Sequence, residues 1–230
     1  MKPLRVALIG SAGRMGKTIV DLAARDPKID IVAQCDMGGA IADALKDCDV
    51  AIDFSQPTVT HEICDAALQN KCALVIGTTG HSDEQRQTIE AAAKKLPIVF
   101  ASNFSIGVNA LFALTRHAAE ILGPDFNLEI VEAHHHSKKD APSGTAKTLA
   151  QILKTARKID NEIPIQSIRE GEVVGEHTII FSGPNERLEL VHRAGGREIF
   201  ARGALHAAQW IVGKPPQLYS MQEVLGLTKT

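Results

Sequence analysis

The chain has 230 residues, of which 25 are Lys or Arg and 27 Asp or Glu, for a formal net charge of −2, and 44% are hydrophobic. That balance excludes a disordered or fibrous chain and leaves no basic footprint for nucleic acid. No apolar run reaches the roughly 18 residues of a membrane span, and Val6 to Ile9 is too short for a signal-peptide core, so a cytoplasmic protein with no membrane partner is expected.

In chain order, short β-branched runs alternate with helical patterns over the first hundred residues. Strands are predicted at Arg5 to Ile9, Asp30 to Cys35, Val50 to Asp53, Ala73 to Ile76 and Ile98 to Ala101. Helices are predicted at Met15 to Ala24, Ile41 to Lys46, Thr58 to Gln69 and Asp83 to Lys95. Near-continuous apolar strands joined by helices imply an α/β, Rossmann-like doubly wound parallel sheet, because right-handed crossovers cover both of its faces.

After Asn103 the rhythm changes. A helix is expected over Val108 to Ile121, a strand over Asn127 to Ala133, and a helix from near Thr145. Strands at His177 to Ser182 and Glu186 to His192 are separated by Gly183-Pro184-Asn185, which is hairpin chemistry. A smaller α+β domain over 105–199 therefore follows a dinucleotide-binding domain over 1–104. The tail, 200–230, turns helical again at Ala204 to Ile211 and at Met221 to Val224. The cysteines, Cys35, Cys48, Cys64 and Cys72, stand 13, 16 and 8 residues apart, too far for a zinc or redox motif, so free and mostly buried thiols are expected.

Gly10-Ser11-Ala12-Gly13-Arg14-Met15-Gly16 follows the first strand and opens the first helix. Small residues there let backbone approach a pyrophosphate, and the helix's free amides and positive dipole end face the anion. Asp36 ends the second strand 20 residues after Gly16, where a carboxylate can take ribose hydroxyls. Gly77-Thr78-Thr79-Gly80 and Asn103 fall at further strand carboxyl ends, the edge at which an open parallel sheet binds its ligand. For the 77–80 segment a plain glycine turn leading to a helix capped by Ser82 reads equally well.

The densest chemistry lies in Glu132-Ala133-His134-His135-His136-Ser137-Lys138-Lys139-Asp140-Ala141-Pro142-Ser143-Gly144-Thr145. A metal site is one reading, although neighbours on extended chain point to opposite faces and no H-x-x-x-H spacing occurs. A solvated charged loop is a second. The third is an anion-binding catalytic loop, in which Ser143-Gly144-Thr145 supplies helix N-terminal amides and hydroxyls, Lys138 and His135 supply charge, and a His and a Lys exchange protons. That reading implies a small acid as substrate and no metal.

Gly10 to Gly16, Gly77 to Gly80, Asn103-Phe104-Ser105-Ile106-Gly107, Glu132 to His135 with Lys138, Asp140 to Thr145 and Gly175-Glu176-His177-Thr178, all in order, resemble the 4-hydroxy-tetrahydrodipicolinate reductase family from Arg5 to about Leu225. The resemblance implies NADH- or NADPH-dependent reduction of a cyclic imine dicarboxylate on the diaminopimelate route to lysine, by a homotetramer. It implies proton donation by His134 and Lys138, and substrate carboxylates held by His135, Lys138, Ser143, Gly144 and Thr145. Cofactor contacts are implied at Gly10, Ser11, Ala12, Gly13, Arg14, Met15, Gly16, Asp36, Gly77, Thr78, Thr79, Ser102, Asn103, Phe104 and Ser105. Met37 and Gln56 stand where members that take NADPH often carry basic residues, which leaves Arg14 to meet a ribose phosphate, so NADH is expected to serve at least as well. Another two-domain nicotinamide reductase shares Gly10 to Gly16 but does not require Ser143-Gly144-Thr145, and a dinucleotide sensor without catalysis binds NADH but needs neither His134 nor Lys138.

Overall fold

The computed structural model describes residues 2–227; residues 1 and 228–230, which the expected domain limits include, lie outside them. The chain forms two compact units, one made of the described residues up to Ser105 together with those from Glu198 onward, the other of Ile106–Arg197.

The first unit runs β1 (Leu4–Ile9), α1 (Arg14–Ala23), β2 (Ile29–Cys35), α2 (Ile41–Ala44), β3 (Val50–Asp53), α3 (Thr60–Asn70), β4 (Ala73–Ile76), α4 (Asp83–Ala93) and β5 (Pro97–Phe100). The second runs α5 (Ile106–Leu122), β6 (Asn127–His134), α6 (Gly144–Arg157), β7 (Ile165–Arg169), β8 (Glu176–Ser182) and β9 (Arg187–Arg193). The chain then rejoins the first unit with α7 (Glu198–Ile211), β10 (Gln217–Tyr219) and α8 (Met221–Val224).

The first sheet is wholly parallel, in the order β10-β5-β4-β3-β1-β2. Strand alternation splits its core in two. Val6, Leu8 and Ile52 face a layer that includes Ile19 of α1 and Ala201, Ala204, Ala207 and Ala208 of α7. Ala7, Ile9 and Ala51 face a layer built from α3 and α4 around Ile63 and Ile89. Leu8 and Ile52 are fully buried, and each such side chain stabilises the fold by about 1.5–3 kcal/mol. The α7 alanines let that helix approach closely, and a Cβ on Gly203 would overlap the Phe104 carbonyl oxygen.

The second unit's mixed sheet runs β7-β6-β8-β9, with β7 parallel to β6 and the other pairs antiparallel. One face carries Ile130, Ile179 and Phe181 against Leu111 of α5 and Leu149 and Leu153 of α6. Because register pairs Glu132 with Ser167 on β7 and His177 on β8, and His177 with His192 on β9, those polar residues form a row on that same covered face.

Two strands escape the sequence pattern. β7 has only Ile165 and Ile168 as apolar residues, pairs on one side and follows Pro164; β10 has three residues after Pro215-Pro216, too few to show a period. Helix α7 starts at Glu198, well before the expected Ala204, and α3 starts at Thr60 after a 3-10 turn over Pro57–Val59. All four cysteines are free thiols, but the fold brings Cys48 and Cys72 together, with Sγ atoms 2.7 Å apart, although the sequence separates them by 24 residues.

Candidate active site

In the first unit the strand order reverses between β1 and β3, where an open parallel sheet offers its binding crevice. Gly10 leaves β1 with φ +83°, and a Cβ there would lie 2.5 Å from the Phe54 carbonyl oxygen, so only glycine fits. A Cβ on Gly16 would overlap Gly10 and Ser11, which fixes α1 hard against the turn. Gly13 is the α1 N-cap without a side-chain hydrogen bond, and no acidic residue lies in the first turn. This is the glycine-lined helix start that a pyrophosphate needs.

A cavity of about 510 Å³ opens beside it, lined by Gly10, Gly13, Asp36, Met37, Gln56 and Glu62 among others. Asp36 is tied to the loop: its carboxylate accepts from Ser11 Oγ (2.6 Å) and the Ala12 amide (2.8 Å). The Ser11 hydroxyl, then the Ala12 amide, hold its carboxyl below the ordinary range. The glycine turn, the uncapped helix start and the cavity fit a dinucleotide.

The other expected cofactor residues divide. Gly77 must be glycine because a Cβ there would overlap the Phe54 ring, and Ser82 caps α4 by a capping box with Gln85, so the 77–80 turn has a structural basis of its own. Phe104 is buried, with its ring edge-on to Phe54 at 5.8 Å, and the Asn103 carbonyl Oδ1 accepts from the Ser105 amide (2.9 Å). Asp53, which the sequence marks only as a strand end, is buried at the close of β3 and accepts from the Ser55 amide (2.9 Å); burial pushes its carboxyl up.

In the second unit Glu132 is fully buried at the centre of the site. Its Oε2 meets His134 Nδ1 (2.5 Å) and Arg169 Nη1 (3.0 Å); its Oε1 accepts from Arg169 Nη2 (2.8 Å) and the Ser143 amide (3.2 Å). Burial raises the Glu132 carboxyl, but the hydrogen bonds from Arg169, Ser167 and His134 outweigh it and bring it down to about 2. His134 is buried too, and desolvation holds its imidazole below the ordinary range despite the Glu132 carboxylate, with Lys138 and Arg169 adding to the fall. Lys138 pairs with Asp140 at 2.8 Å.

Ser143 takes a different part from the one its sequence suggests. Its amide is spent on Glu132, and its hydroxyl accepts from the Ala146 amide (3.2 Å) as the α6 N-cap and meets His177 Nε2 (3.1 Å). Gly144 has open space where a Cβ would be. His135 Nδ1 pairs with Ser137 Oγ (2.7 Å), and His136 Nδ1 donates to the Gly171 carbonyl (2.9 Å). Arg169 and His177 join the site through strand pairing. Arg169 sits in the strand the pattern hides, and the sequence marks His177 only as a strand start and a member of the Gly175 to Thr178 motif.

Both halves of the chain match family models, one described as dihydrodipicolinate reductase, N-terminus, over residues 4–104, and one as dihydrodipicolinate reductase, C-terminus, over residues 107–225. The chain belongs to the dihydrodipicolinate reductase family. It is 46% identical to the 4-hydroxy-tetrahydrodipicolinate reductase of Akkermansia muciniphila, over 98% of this chain and 99% of that one. It is 41% identical to that of Geobacter metallireducens, over 97% and 99%. The solved dipicolinate-bound dihydrodipicolinate reductase from Paenisporosarcina sp. TG-14 aligns with TM-score 0.82 and 27% identity, covering 96% of this chain and 98% of that one. Membership makes the chain an NAD(P)H-dependent oxidoreductase.

Proposed function

We propose that this chain reduces 4-hydroxy-tetrahydrodipicolinate to tetrahydrodipicolinate in diaminopimelate and lysine synthesis, the 4-hydroxyl leaving as water to give the conjugated double bond that hydride and a proton then saturate. The observation that carries the reading is the buried Glu132–His134 pair beside Lys138 and the α6 N-terminus, within a chain whose relatives bear that activity along nearly their whole length. A nicotinamide, when bound, supplies the hydride. Hydride arriving at one end of a conjugated double bond leaves negative charge at the other, so a positioned acid lowers the barrier. Burial holds the His134 imidazole below its ordinary range, and His134 and Lys138 are the two groups that handle the proton of this step. Gly144 and Thr145 at the start of α6, with His135 and Lys138, serve the substrate carboxylates.

On the cofactor side we infer that NADH serves at least as well as NADPH. The cavity beside Gly10 is lined by the carboxylates of Asp36 and Glu62 and by no Lys or Arg, a surface that repels a ribose phosphate. A homotetramer is supported by the second sheet's other face, where Val131, Ile168 and Val191 stand away from α5 and α6 and Val191 is 40% exposed. With no helix long and apolar enough to cross a membrane among the described residues, a cytoplasmic site of action fits the substrate.

The deciding experiment generates the unstable substrate in place from pyruvate and aspartate semialdehyde and follows nicotinamide absorbance. Oxidation of the cofactor only when both precursors and their condensing enzyme are present supports the reading; its absence with active coupling enzyme removes it.

A further inference from the structure

Glu132 and His134 lie two residues apart on β6, so strand alternation turns both side chains to the same covered face. The Glu132 carboxylate cannot rotate. Arg169 grips both of its oxygens, and the Ser143 amide, His134 and the Ser167 side chain also hydrogen-bond to it. Arg169 is itself fixed, donating also to the carbonyls of Ile168 (2.7 Å) and Asp140 (2.7 Å), the second of which belongs to the loop that carries Lys138. On the covered face His177 stands edge-on to the imidazole, and Gly175 brings backbone up to its Nε2 side.

We propose that Glu132 is a positioning residue for His134: it accepts the Nδ1 proton, fixes that tautomer and ring orientation, and so leaves Nε2 as the atom that takes and returns a proton. This rests on the reading of His134 as a proton-handling residue. A carboxylate on one ring nitrogen sets which nitrogen is free for chemistry and raises the basicity of that nitrogen. The charged groups around His134 are Glu132, Arg169 and Lys138, with His177 in ring contact, Asp140 paired to Lys138, and His192 beyond His177. Among these, Glu132 favours the imidazolium while Lys138 and Arg169 oppose it.

The test is nitrogen-15 NMR of the histidine side chains in the full-length protein without substrate, with His134→Gln to assign the signal. The expected result at neutral pH is a neutral His134 ring protonated at Nδ1, with that proton strongly deshielded. A ring protonated at Nε2 overturns the proposal, and this reading needs no variant of Glu132 to fold. In Glu132→Gln the His134 titration and the matching limb of the kcat/KM profile move to lower pH, and kcat falls at least about tenfold. A fall in kcat with the His134 titration unmoved assigns Glu132 to scaffolding alone and overturns the proposal. Because the titration is read without turnover, absence of activity toward the proposed substrate in the unaltered protein counts against the function and not against this pairing.

Discussion

His177 stands edge-on to His134, with ring centroids 5.2 Å apart and planes inclined by 75°. Two imidazoles in ring contact within a buried row cannot both carry charge, and burial, followed by the proximity of His134, pushes His177 down to about 4. Its Nε2 lies 3.1 Å from the Ser143 hydroxyl that caps α6.

The sign of the resulting pH dependence follows from the lowered value. Between pH 6.5 and about 4 the unfolded chain binds a proton at residue 177 that the folded site refuses, so stability is complete above that window and falls as pH drops through it, by about 3 kcal/mol. In His177→Gln, which keeps a polar group toward Ser143, this part of the loss disappears. Urea unfolding at pH 7 and pH 5 checks it: an equal fall in stability for both proteins removes His177 from the acid response.

Gly175 is pressed against the same site from the strand-entry side. A Cβ there would lie 3.1 Å from His134 Nε2 and 3.4 Å from Cδ2, tight enough to push the ring by a few tenths of an ångström. The backbone at 175 is outside the left-handed region, so the cost of Gly175→Ala is steric and local. Proton transfer is sensitive to displacements of that size, and kcat is expected to fall roughly tenfold while the thermal midpoint and NADH affinity stay close to the parent values. Unchanged kcat would show that Nε2 takes no part in the chemistry.

Much of this site can be read from sequence, and what cannot has physical causes. The glycine turn after β1 is legible because three glycines serve three steric needs at fixed spacing, and Asp36 is legible by its distance along the chain. Glu132, Arg169 and His177 are polar residues on a buried face, where period and propensity carry no mark of which partners meet. Arg169 reaches Glu132 across 37 residues through the pairing of β7 with β6, and β7 itself is an edge strand with too few apolar residues to announce itself. Ser143 shows the converse: its place before a helix is evident, but commitment of its amide to Glu132 appears only once β6 and α6 are packed together.

The cofactor cavity makes a prediction about electrostatics. Asp36 and Glu62 line it, together with the uncharged Met37 and Gln56. The kcat/KM with NADH is expected to equal or exceed that with NADPH. Replacing Glu62 by Gln should raise the NADPH value severalfold and leave the NADH value nearly unchanged, and low ionic strength should widen the difference between the parent and variant proteins. A strong NADPH preference in the unaltered protein defeats the assignment, and an unaffected NADPH value in Glu62→Gln removes Glu62 from it.

Lys138 pairs with Asp140 at 2.8 Å, with about a quarter of its side chain exposed, and the two explanations for its presence make opposite demands. If the lysine serves only to fix the loop through that pair, removal of either partner has the same small effect, since half-exposed ion pairs contribute about 0–1 kcal/mol. If Nζ delivers the proton, the partners separate: Lys138→Ala loses roughly 10²- to 10⁴-fold in kcat, while Asp140→Asn keeps most of the activity. NADH binding, followed by fluorescence titration, should be unchanged in both variants, since Lys138 lies outside the glycine-turn unit. Equal and modest losses in the two variants would make the pair a loop fastening and leave His134 as the proton donor.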